Sequence, residues 1–128
     1  MSEQLISGKL PILALRGLAI FPDQTVHFDV GRPKSIQALD EAMKKDQNIF
    51  LVPQRDIVNN DPGPDDLYTI GVVAKVKQVL KTQGENLRVL VTGICRAQIK
   101  DLMQTEPYMA GYTSCLFQSG LKKVNITV

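Results

Sequence analysis

The side chains able to do chemistry are few and scattered. The only histidine, His27, lies in "TVHFDV" with Asp29 two residues on. In a strand these two share a face, so a His–Asp pair is geometrically allowed. A general base nevertheless needs a nucleophile or a substrate site beside it. No GxSxG or HExxH is present, and there is no second histidine to build a metal site. No GxxxxGK[ST] cradles a phosphate, and no GxGxxG opens a helix after a strand. His27 is therefore expected to be structural or solvent-exposed. "DPGPDD" gathers three acids, but two prolines among them rule out the geometry of a calcium loop, so a solvated loop is expected. Lys75, Lys77 and Lys81, with Arg88 and Arg96 on the following segment, make a basic stripe whose expected role is a solvated face. Cys95 and Cys115 lack metal-binding spacing and any CxxC, so two reduced thiols are expected. No catalytic, cofactor-binding or metal-ligating residue is assigned.

Composition narrows the classes further. A chain of 128 residues is long enough for one domain with a real core. Hydrophobic residues at 44% and charged residues at 22% are ordinary for a globular protein. The net charge of +2 is too small to argue for nucleic acid, and without Trp there is little material for base stacking. "MSEQLISGKL" has no basic segment leading into an apolar one, so no signal peptide is expected. Arg16 and Asp23 interrupt the first apolar stretch, which falls short of a bilayer span of roughly 18 residues.

The elements that must position any site follow from periodicity. "LPILAL" carries apolar residues on both faces, the pattern of a strand covered on two sides, and Pro11 suits an edge or first-strand position. "TVHFDV" is a strand with Val26, Phe28 and Val30 on one face. "RPKSIQALDEAMKKDQ" is the one clear helix, expected over 33–46, with Pro33 in its first turn and Ile36, Leu39, Ala42 and Met43 turned to the core. "NIFLVPQ" is a short strand stopped by Pro53. "TIGVVAKVKQVLK" and "LRVLVTGICRAQIK" form a hairpin through "TQGEN", with Leu87, Val89, Val91 and Cys95 sharing one face. Gly71 and Gly93 sit within strand patterns and are expected to mark bends. Many strands, one helix and these glycines predict a small closed or nearly closed β-barrel with an inserted helix. All thirteen acidic residues lie at or before Glu106. Residues 118–128 are either an extra strand or a tail.

In order and spacing, the segments "LPILALRGLAIFP", "VGRPKSIQALDEAM", "IFLVPQ", "DPGPDDLYTIGVVAKVKQVLK" and "NLRVLVTGICRAQI" resemble the amino-terminal domain of the bacterial Lon ATP-dependent proteases. The resemblance covers roughly residues 9 to 112. Ala14 stands where that family often has proline, and Pro33 where an acid is common. The resemblance implies a mainly β, PUA-like pseudo-barrel with an inserted helix. It divides the sequence into a flexible N-terminus (1–8), the barrel domain (9–117) and the C-terminal stretch 118–128. It also implies a non-catalytic role in recognising unfolded or tagged protein substrates and in assembly. ATP, Mg and a Ser–Lys peptidase are expected only in a longer parent, a cytoplasmic homohexamer, and residues 1–128 alone are expected to be a fragment without enzyme activity. A stand-alone PUA-like module binding RNA or protein is the alternative, with nucleic acid disfavoured by the low charge. The candidate protein-binding residues are Leu18, Ile20 and Phe21, in the consecutive apolar run "LAIF" before Pro22, and the cations Arg32 and Lys34 at the helix start.

Overall fold

Valine-rich, alternating segments build long strands in this protein, and one of them organises the rest. The computed structural model describes residues 2–5 and 9–117. In sequence order the elements are β1 (Ser2–Leu5), β2 (Leu10–Leu15), β3 (Thr25–Val30), α1 (Pro33–Lys44), β4 (Asn48–Pro53), a single 3₁₀ turn (Pro64–Asp66), β5 (Ile70–Lys81), β6 (Leu87–Gln104) and β7 (Met109–Phe117). The sheet runs β1-β7-β2-β4-β5-β6-β3, and a further β6–β7 pairing closes β7-β2-β4-β5-β6 into a ring. β6 makes closure possible because it spans 18 residues. Its first half pairs with β3 (Val26 opposite Val91), and its second half pairs with β7 (Ala97 opposite Cys115) along the same edge. β5 takes the other edge. This is the mainly β partial barrel with one inserted helix that the sequence predicts.

Both faces of the sheet are covered. Every residue of β2 is buried, as is every residue of β4 before Pro53, and alternate residues feed two different clusters. Ile12, Ala14, Phe50 and Val52 join Val73, Cys95, Ala97, Met109 and Cys115, drawn from all five ring strands. Leu13, Leu15, Ile49 and Leu51 join Val89 and Val91, together with Ala38, Leu39 and Ala42 of α1. β2 runs between β7 and β4 rather than at an edge. Pro11 is tolerated there because the pairing to β4 begins only at Ile12, so no ladder bond on that side needs its missing N–H.

Within the N-terminal stretch 1–8, Ser2–Leu5 forms β1, antiparallel to β7. The structure corrects three expectations. Cys95 and Cys115 are not two separate thiols but a disulfide, their Cα atoms 5.9 Å apart across the β6–β7 pairing and 20 positions apart in sequence. Cys95 does not share a face with Val89 and Val91, because Ile94 is an extra residue on β6: Val73 pairs with Cys95 and Ala74 with Gly93, so the bulge turns the strand over. The helix ends at Lys44 and buries Ser35, Ala38, Leu39 and Ala42, whereas Met43 is 38% exposed and Ile36 is half-buried. Three of the four buried residues are small, on a helix that packs against β2. The expectation for 118–128 falls outside the described residues.

A second bulge at Lys77, between Val76 and Gln78, splits the basic stripe: Lys75 lies before it and Lys81 after it, with the alternation reversed. Arg88 pairs with Asp29. Gly93 answers to a close approach. A Cβ there would strike the backbone of Phe21 and Pro22, which crosses over it.

Candidate binding grooves around Arg32

Arg32 sits at the point where β3 leads into α1. Pro33 fixes the first helical φ and removes an N–H that would lack a partner, so the helix starts there without a side-chain cap. The Arg32 side chain turns back under the helix. Its Nη2 donates to the Ala14 carbonyl and its Nη1 to Gln54 Oε1, both at 2.8 Å. Gln54 is buried, and its amide nitrogen donates to the Asp56 and Asn59 carbonyls at 2.7 and 2.8 Å. One glutamine thus ties the guanidinium to the loop after β4. Burial, then the nearby charge of Arg16, push the Arg32 pKa below its ordinary value, opposed by Asp61.

Two grooves meet at Arg32. The first, about 400 Å³, runs between β2, the β2–β3 loop and β3, with Leu18, Phe28, Arg16 and Asn86 among its walls. The second, about 480 Å³, lies between β2, the helix start and two loops, and is floored by Ile12, Ala14 and Met109 with Pro33, Pro62 and Pro107. Lys34 bridges the two loops of this second groove, pairing with Glu106 and, at 3.7 Å, with Asp61. The bond to Glu106 raises its pKa.

The candidate residues are only partly brought together. Leu18 is half-buried and lines the first groove. Ile20 is 5% exposed and belongs to the core, so the run "LAIF" is not a continuous surface patch. Phe21 is 59% exposed on a separate strap, held where the Asp23 N–H donates to the Gly93 carbonyl and the Gly93 N–H donates to the Gln24 carbonyl, each at 2.9 Å. Arg32 lines both grooves and Lys34 only the second. Sequence reading misses Arg16, Phe28 and Gln54 as site residues. Phe28 is legible as a core-face residue, but nothing in the sequence indicates that Gln54 is buried and fully bonded.

His27 is exposed, and its neighbour Asp29 is taken by Arg88, with Arg88 Nε 3.0 Å from Asp29 Oδ1. That hydrogen bond holds the Asp29 carboxyl below its ordinary range. No group of three or more His, Cys, Asp or Glu among the described residues is placed to hold a metal ion. No helix among them is long and apolar enough to cross a membrane.

Known proteins resemble this chain in sequence and in fold. The ATP-dependent protease La (LON) substrate-binding domain family matches residues 9–122. A Lon protease of Desulforamulus reducens is 52% identical over 99 residues, covering 77% of this chain and 12% of that protein. Lon protease 1 of Bacillus subtilis is 45% identical over 108 residues, covering 84% of this chain and 14% of that protein. The match thus spans about one eighth of the length of these relatives. Among solved structures, the N-terminal domain of a Mycobacterium avium complex Lon protease superposes with a TM-score of 0.68 at 19% identity, covering 91% of this chain and 57% of that one. A Lon N-terminal domain protein from Xanthomonas campestris superposes with a TM-score of 0.63 at 11% identity, covering 84% and 59%. With a match that runs across the whole barrel, on a fold shared with these solved domains, this protein belongs to the Lon substrate-binding domain family.

Proposed function

We propose that this domain is the non-catalytic substrate-recognition and assembly part of an ATP-dependent Lon serine protease, and that it binds unfolded or tagged polypeptide. The match of residues 9–122 to the substrate-binding domain family carries this reading. The two grooves at Arg32 support it, since they combine apolar walls with charged rims. In this reading, ATP hydrolysis with Mg and peptide cleavage by a Ser–Lys dyad belong to other parts of a cytoplasmic homohexamer that degrades misfolded and selected regulatory proteins. Residues 1–128 alone turn over neither ATP nor peptides.

The test is titration of the isolated domain with a permanently unfolded protein, reduced and carboxymethylated α-lactalbumin, followed by NMR. Line broadening confined to residues of the grooves is the expected result, with no effect from a folded protein of similar size. Absence of broadening with both proteins would overturn the reading. Tight, steeply salt-dependent binding of RNA in its place would point to a nucleic-acid module.

A further inference from the structure

The first groove joins two guanidinium groups that no carboxylate neutralises to an apolar wall. Arg32 spends two of its five N–H donors on neutral acceptors, the Ala14 carbonyl and the Gln54 amide oxygen. Arg16 donates to Asn60 Oδ1 at 3.0 Å. Among the described residues neither arginine forms an ion pair. The two carboxylates nearby are committed elsewhere: Asp29, which lines the groove, bonds Arg88, and Asp61, which acts on Arg32 from the far side, is exposed and faces Lys34. A partly buried arginine with a second arginine beside it is short of an anion, and a planar guanidinium with free donors suits a carboxylate. Beside the pair, Leu18 and Phe28 are half-buried and present apolar surface to the same space. The volume, about 400 Å³, is in the range of small-ligand sites.

We propose that this groove binds a polypeptide carboxylate next to an apolar side chain, with the carboxylate on Arg32 and Arg16 and the apolar group against Leu18 and Phe28. The proposal rests on reading the domain as a polypeptide recogniser and specifies what it reads. The carboxylate has two sources, the C-terminus of a polypeptide or an acidic residue within it, and both offer the same two oxygens.

Three synthetic peptides separate the sources: one ending in a free-acid isoleucine, its C-terminal amide, and an amide with glutamate placed before the isoleucine. Each is titrated into the unmutated domain, with affinity read from NMR shifts. The free acid is expected to move the amides of Leu18, Phe28 and Arg32 and to weaken with added salt. Loss of binding in the plain amide assigns the α-carboxylate, and recovery in the glutamate amide admits the acidic residue as a source. Arg16→Gln, an exposed position, should weaken the free acid about tenfold. Arg32→Lys should weaken it as well, and the peptide series on unmutated protein stands even if that variant folds poorly. Equal binding of acid and amide, or shifts mapping away from the groove, overturns the proposal. Should the unfolded protein still bind in that case, the recognition role survives and only the carboxylate site falls.

Discussion

Replacing Ile20 by alanine tests the separation of core from surface in the β2–β3 connection. Ile20 is outside any strand, yet it is 5% exposed and packs in the cluster with Leu13, Leu15, Val30 and Val89. Its position is fixed because the following residues are strapped to β6 by the paired Asp23–Gly93 and Gly93–Gln24 bonds, so the backbone has little freedom to close over a void. Truncation of a buried isoleucine costs about 2–5 kcal/mol, and a site that collapses poorly belongs in the upper part of that range, about 4 kcal/mol. For a domain of this length that is a fall in Tm of roughly 16 °C, at about 4 °C per kcal/mol. Phe21→Ala, at a side chain 59% exposed, should stay within about 0.5 kcal/mol. Thermal melts and urea midpoints at unchanged m-value measure both. Equal shifts for the two variants, or an Ile20→Ala loss below about 1 kcal/mol, would show that the alternation of buried and exposed residues along "LAIF" is misplaced.

The helix gives a similar contrast. Ala38→Asp places an unpaired charge at a residue with no exposed surface and should cost about 4 kcal/mol or more, whereas Met43→Asp, at 38% exposure, should cost under about 1 kcal/mol; urea unfolding of both variants checks the burial of α1, and a larger loss at Met43 would reverse its assigned face. The Asp29–Arg88 pair sets a pH signature. Arg88 lowers the folded-state pKa of Asp29, so the pair's contribution is present above the ordinary carboxylate pKa of about 4 and is lost as pH falls through the lowered value. The Tm difference between the unmutated domain and Asp29→Asn should be constant from pH 7 to 5 and vanish at strongly acid pH, and a difference that grows on acidification contradicts the pairing.

Where a residue's neighbours in sequence decide its environment, the fold is legible. β2 and β4 carry apolar residues on both faces, and both are covered. Pro33 marks the helix start, and "TQGEN" marks the turn between β5 and β6. Bulges escape this kind of reading. Ile94 and Lys77 each add one residue opposite a partner strand, and a period of two cannot show which strand will be over-long until the pairing exists. That is why Cys95 changes face and meets Cys115. The helix face also departs from expectation: hydrophobicity favours Ile36 and Met43, but Ser35, Ala38 and Ala42 are buried beside Leu39 while Met43 is 38% exposed.

The groove at Arg32 shows the same limit from the side of function. Its walls come from β2, the β2–β3 loop, β3 and the helix start, and Gln54 after β4 holds the Arg32 guanidinium that lines it. Arg32 and Lys34 stand out in sequence because they follow a glycine and flank a first-turn proline, and adjacency suggests that they act together. The structure separates them by their partners. Lys34 meets carboxylates on two loops and is neutralised, so it fastens the second groove and has little charge left to offer a ligand. Arg32 meets only a carbonyl and an amide, so its hydrogen bonds are partly met while its charge is not. An anion arriving from outside would supply both the countercharge and acceptors for the remaining N–H donors. Of two cations almost side by side in sequence, the proposed carboxylate site therefore uses the one that forms no ion pair among the described residues.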